Sequence, residues 1–160
     1  ATGGPVFLRR ARGYAPLPLA LPVESPVPLL AVGGHLKNTF TLVHGRRAFV
    51  SQHIGDLENL ETLEHFHASL ERFKALFRIE PEAVVHDLHP GYFSTRVARE
   101  SGLRVLPAVQ HHHAHAAAVM AEHGRTGPVL LPCARLTATN LGFSPRRISS
   151  RSCASASAEG

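Results

Sequence analysis

The chain has 160 residues, 44% of them hydrophobic and 18% charged, with a formal net charge of +5. That composition fits one globular domain or a piece of a larger one and excludes a disordered chain. No apolar run approaches the roughly 18 residues that span a bilayer, and the basic excess lies at the two ends (Arg9, Arg10, Arg12; Arg135, Arg146, Arg147, Arg151), which argues against a nucleic-acid binder and a membrane protein alike.

In chain order, residues 1–27 read as the end of a preceding domain followed by a proline-rich stretch, "YAPLPLALPVESPVP". Proline blocks both helix and central strand, so 15–28 is expected to be an extended linker. The first 30 residues lack a signal-peptide layout, and a cytoplasmic protein is expected. "PLLAVGG" is a buried-strand pattern ending on Gly33 and Gly34. "NTFTLVHGRRAFVSQHI" alternates over two runs around "HGRR", which predicts strand, tight turn, strand.

Residues 57–78 are the clearest helix. Leu57, Leu60, Leu63, Phe66, Leu70, Phe73 and Phe77 form one apolar stripe, with Asp56 as expected N-cap and Pro81 as stop. His65 and His67 fall on its solvated face, and His44, His53 and His123 are scattered. "AVVHDL" (83–88) is a short strand, "HPGY" a turn, "FSTRVARESG" a short helix closed by Gly102, and "LRVLPAVQ" another buried strand. A helix then runs to Gly124, and "GPVLL" (127–131) is a further strand. Strands alternating with helices predict an α/β fold with a mixed sheet and flanking helices. Residues 132–160 lose all periodicity and are rich in Ser, Arg and Ala, so a disordered tail is expected there. Both cysteines, Cys133 and Cys153, lie in it, which leaves no disulfide framework and no paired zinc motif.

The chemistry concentrates in "AVQHHHAHAAAVMAEHG" (108–124). His111 and His115 are four apart, so a helix puts both imidazoles on one face, where two rings can chelate one zinc or iron(II) ion. Further ligands must come from elsewhere. His112 and His113 point to other faces and are candidates for supporting contacts or a helix cap. The cluster follows a strand directly, at the sheet edge where α/β proteins bind ligands. The bland alternative is a surface run of histidines with no task. In "GGHLKN" (33–38), Gly33 and Gly34 permit close approach of a phosphate, Lys37 supplies charge and Asn38 a hydrogen bond; the pair can equally be a plain turn. In "HDLHPGY", Asp87 and His89 end a strand at the same edge and are candidates for supporting contacts, or for a simple Asx turn.

Taken together, "GGHLKNTFTL", "FVSQHIGDLENLET", "VVHDLHPGYFSTRVA" and "AVQHHHAHAAAVMAEHG" resemble, in order and spacing, the carbamoyltransferase HypF family of [NiFe] hydrogenase maturation. The resemblance is dense over 28–130, and "LRRARGYAPLPL" is similar to the end of the family's carbamoyl-adenylate-forming domain. It implies a cytoplasmic enzyme that uses carbamoyl phosphate and ATP and moves the carbamoyl group from carbamoyl-AMP to the C-terminal cysteine of HypE. It also implies that residues 28–131 are the front half of a transferase domain of the actin-like ATPase, ribonuclease H-like (ASKHA) fold. The family's H-x-x-x-H metal pair matches His111 and His115, and its first strand and turn match Gly33 and Gly34. After "GPVL" the family carries an aspartate- and glycine-rich segment that supplies a further metal ligand. Here "LPCARLTATNLG" stands instead, so a frameshifted tail and an inactive fragment are expected. The competing readings are O-carbamoyl transfer to a small molecule and a non-catalytic metal-binding module.

Overall fold

The computed structural model describes residues 14–125, together with 129–131 and 134–136. Over the first of these stretches the elements are β1 (Leu19–Ala31), β2 (Thr41–Val50), α1 (Leu60–Phe77), β3 (Ala83–Val85), α2 (Phe93–Glu100), β4 (Arg104–Val105) and α3 (His111–Glu122). The strands form one sheet in the order β2-β1-β3-β4. β2 is antiparallel to β1, whereas β3 and β4 run parallel to it. The sheet is therefore mixed and carries three helices, as the alternation of patterns predicts.

β1 corrects the linker reading of residues 15–28. The chain is extended there, but from Leu19 onward it is hydrogen-bonded to β2. Its prolines are tolerated because the paired positions are Leu19, Ala20, Ser25 and Leu29–Ala31, with register irregularities between them. Pro22, Pro26 and Pro28 fall outside that register, where no ladder N–H is demanded. Only the last three residues of β1 are flanked on both sides, by Thr41–Val43 of β2 and by β3.

The expected hairpin within residues 38–54 is likewise absent. β2 passes straight through His44–Arg47, and Gly45 (φ +58°) lies opposite Ser25 at the register irregularity. Glycine thus serves a bulge in one long strand, not a reversal.

α1 starts later than the apolar stripe suggests. Asn59 is the N-cap, its side chain accepting a 2.8 Å hydrogen bond from the Glu61 N–H, while Asp56 accepts from the Glu58 N–H in a turn before the helix. Leu57 is buried ahead of the helix (1% exposed) and Leu60 points to solvent (68% exposed). At the other end Lys74 Nζ reaches Glu71 and Glu80, both at 3.1 Å. The hydrogen bond to Glu80 chiefly holds its ammonium pKa above the ordinary lysine value. His65 and His67 are exposed, as expected.

The core joins Leu30, Val32, Phe40, Leu42 and Val84 of the sheet and its turns to Phe66, Leu70 and Phe73 of α1. Phe40 meets Phe66 and Phe73 edge-on, with ring centroids 5.4 and 5.1 Å away. β4 departs from the long buried strand expected over 103–110. Only Arg104 and Val105 are strand, both exposed at the margin of the sheet, and Pro107 interrupts the ladder before Val109 bridges to Asp87. α2 closes at Ser101 before Gly102 (φ +73°), and α3 before Gly124 (φ +60°).

Residues 126–160 cluster as a separate unit. Within it β5 (Val129–Leu131) pairs antiparallel with β6 (Ala134–Leu136). The first agrees with the strand expected at "GPVLL"; the second replaces loss of structure at 134–136 with a short strand. The rest of the expected disordered tail lies outside the described residues. Among the described residues no helix is long and apolar enough to cross a membrane.

Candidate functional site

Three chain segments converge beyond the carboxyl ends of β1 and β3. The first is the turn after β1. Gly33 takes φ +65°, and a Cβ there would lie 2.2 Å from the Thr39 carbonyl oxygen. Only glycine allows the loop to fold back this tightly. Asn38 is fully buried behind the turn, where its amide donates to the Val32 and Gly34 carbonyls at 2.7 and 2.6 Å. Its backbone exchanges hydrogen bonds with Gly55 and Ile54.

The second segment is the end of β3. The Val32 N–H donates to the Val85 carbonyl, continuing the parallel ladder to the point where the chains part. His86 and Asp87 follow, both buried. The third is the N-terminus of α3, entered from Gln110 in extended conformation without a side-chain cap. This helix packs against β1, burying Ala116 and Met120; its small alanine side chains let it lie close.

Together they enclose a cleft of about 250 Å³ whose polar lining comes from Gly33, Gly34, His86, Asp87, His111 and His115. His111 Nε2 and His115 Nε2 stand 3.0 Å apart, an approach that i, i+4 spacing on one helical face allows. The opposite nitrogen of His111, Nδ1, lies 2.6 Å from Asp87 Oδ2. Two imidazole nitrogens each at about 2.0–2.1 Å from one ion, subtending about 90–110°, are about 2.9–3.4 Å apart. The donor set and its spacing therefore fit one divalent cation of the zinc or iron(II) type.

The other sequence candidates separate. Lys37 is exposed and does not line the cleft, and Asn38 turns its amide inward, bracing the turn from behind. His112 is exposed and His113 half-buried, both outside the cleft lining. His89 is exposed with its ring stacked 4.3 Å from Tyr92, while its backbone N–H donates to Asp87 Oδ1 at 2.9 Å.

Two residues escaped the sequence reading. His86 lines the cleft and its Nδ1 donates to the Asp87 carbonyl at 2.6 Å. His35 stacks 5.3 Å from Tyr92 and pairs through Nε2 with Glu58 Oε1 at 3.0 Å, with Asp56 close by. Neither carries a spacing signal: His35 meets Tyr92 and Glu58 only through the fold, and His86, whose hydrogen-bond partner is the next residue, reaches the cleft only because β3 ends there.

Comparison with known proteins matches residues 24–122 to the HypF Kae1-like domain. The chain is 49% identical over 122 residues to carbamoyltransferase HypF of Synechocystis sp., covering 76% of this chain and 16% of that protein. It is 32% identical over 122 residues to the probable carbamoyltransferase HypF of Methanocaldococcus jannaschii, covering 74% and 16%. Among solved structures, full-length HypF in its phosphate- and nucleotide-bound form superposes with a TM-score of 0.72 at 50% identity, covering 76% of this chain and 19% of that one. The chain thus spans less than a fifth of the length of these relatives. The extended match over both glycine turn and histidine helix places the chain in the HypF family, within its Kae1-like domain.

Proposed function

We propose that this chain contributes the donor-binding half of a carbamoyltransferase site, in which a carbamoyl group passes from carbamoyl-AMP to the C-terminal cysteine of HypE. The observation that carries the reading is the cleft itself: the glycine turn and the His111–His115 pair face one space at the end of a parallel strand pair. The relative with phosphate and nucleotide bound supports it, since its structure superposes on this chain. In the transfer, the acceptor sulfur forms a bond to the carbamoyl carbon and the bond from that carbon to the phosphate oxygen breaks. AMP leaves with the electron pair, and the thiol proton passes to solvent.

His111 and His115 would hold a divalent ion, zinc or iron(II), which when bound supplies Lewis acidity and a template for the donor's oxygens. The chain's own residues do the rest. Gly33 and Gly34 keep side chains out of the space a phosphate needs. The buried Asn38 amide fixes the turn's carbonyls behind that space. Lys37, exposed on the same loop, adds positive charge outside it. The apolar part of the cleft, with Ala31, Val85 and Val109, excludes water from the transferred group.

In this reading the chain carries the front half of an actin-like, ribonuclease H-like (ASKHA) transferase domain, preceded by the end of a carbamoyl-adenylate-forming domain, and works in the cytoplasm. Since "LPCARLTATNLG" stands where the family carries its aspartate- and glycine-rich segment, this chain alone is expected not to turn over. Reading the neighbouring frame of its nucleotide sequence past residue 131 is the check on a frameshift there.

The test uses the full-length Synechocystis relative, with alanine at the two positions that align with His111 and His115. Carbamoylation of HypE should fall at least ~100-fold, as several kcal/mol of charge stabilisation are lost, while carbamoyl-AMP formation persists. Undiminished transfer in that variant would remove the histidine pair from the reaction.

A further inference from the structure

We propose that Asp87 is the positioning residue that makes the two histidines unequal: it fixes His111 in the one tautomer that presents a free Nε2 lone pair, and leaves His115 to adjust. The tautomer part stands on the geometry of the chain; only the affinity part rests on the metal reading above.

The carboxylate is held from several directions. Asp87 bridges to Val109 in parallel register, and the Leu88 N–H donates to the Val109 carbonyl. The Asp87 carbonyl accepts from His86 Nδ1 at 2.6 Å and from Thr95 Oγ1 at 3.3 Å. One carboxylate oxygen, Oδ1, accepts from the His89 N–H at 2.9 Å, and the other, Oδ2, stands 2.6 Å from His111 Nδ1. The Asp87 side chain is 7% exposed, against 45% for His111. A buried, doubly engaged carboxylate cannot swing away, so the imidazole conforms to it.

The carboxylate can only accept, so the proton of a neutral His111 ring resides on Nδ1. Nε2 is then a lone pair, and it faces His115 Nε2 at 3.0 Å. That contact closes as a hydrogen bond only if His115 carries its proton on Nε2 and donates. His111 is therefore preset for a cation, whereas His115 must first move its proton to Nδ1, which its solvent exposure permits. A carboxylate behind a ligating histidine has this effect in metal sites generally, and its removal costs about 10–100-fold in affinity.

The experiment records the ring-nitrogen NMR shifts of His111 in the zinc-free chain, and zinc affinity by titration, for wild type, Asp87→Ala and Asp87→Asn. In the wild type His111 should show a protonated Nδ1 and a bare Nε2. In Asp87→Ala it should move toward the Nε2–H form, with zinc affinity falling about 10–100-fold. Asp87→Asn, of equal size, should fall in the same direction by less, and carries the test if the alanine variant does not fold. A merely structural Asp87, bracing the His89 turn, would leave the His111 tautomer unchanged. Folded variants that keep both the tautomer and the affinity of the wild type overturn the proposal. If the wild type takes up no zinc but the tautomer shifts as stated, Asp87's role stands and the metal reading falls.

Discussion

Phe40→Ala is expected to cost about 3–5 kcal/mol of folding stability, the usual loss for a fully buried phenylalanine. Phe40 is fully buried between the edges of Phe66 and Phe73. It also fixes the chain between the glycine turn and β2. Its N–H donates to Ser51 Oγ at 3.0 Å and its carbonyl accepts from the Ser51 N–H at 2.8 Å. Those backbone bonds survive the substitution, so the loss is one of packing: a ring-sized cavity between sheet and α1. A small domain has about 5–15 kcal/mol in all, so the variant should be close to unfolding at 37 °C. Denaturant unfolding with unchanged slope and a much lower midpoint is the expected signature. A loss under about 1 kcal/mol would show that the Phe40 pocket is not the centre of the core.

Gly33→Ala should be nearly as severe, for a different reason. At φ +65° an alanine carries about 1–2 kcal/mol of left-handed strain, and its Cβ would fall 2.2 Å from the Thr39 carbonyl oxygen. That oxygen is backbone and cannot rotate away, so the loop must open and Asn38 must give up its grip on the Val32 and Gly34 carbonyls. Gly34→Ala is the built-in control. Its added methyl would meet only His111 Cε1, at 3.5 Å, an ordinary contact. Thermal unfolding should place Gly33→Ala well below Gly34→Ala, which should stay near the wild type. Equal melting temperatures for the two would contradict the close-packed turn.

The elements most legible in the sequence are those whose signal is local. Spacing alone places α1 through Phe66, Leu70 and Phe73, and Gly102 and Gly124 mark the ends of α2 and α3. The pairing of His111 with His115 is equally local, since the helix repeat fixes it. What escaped depends on partners distant in sequence. "HGRR" has the composition of a hairpin turn, and becomes a bulge only because β1 is long enough to run beside all of β2. The prolines of β1 suggest a linker until the register shows that they avoid its paired positions. Asn38 follows a glycine pair and so suggests a ligand contact; that its amide faces inward is set by the Val32 and Gly34 carbonyls. Asp87 and His111 are 24 residues apart and meet because β3 and the start of α3 end at the same margin of the sheet.

In the proposed site, two imidazoles one helical turn apart would grip a single cation. Calorimetric titration of zinc into the purified chain, its His111→Ala variant and its His115→Ala variant tests it most directly. One saturable site is expected in the wild type and clearly weaker binding in each variant, because a single imidazole cannot chelate. Wild-type affinity retained in both variants would contradict it.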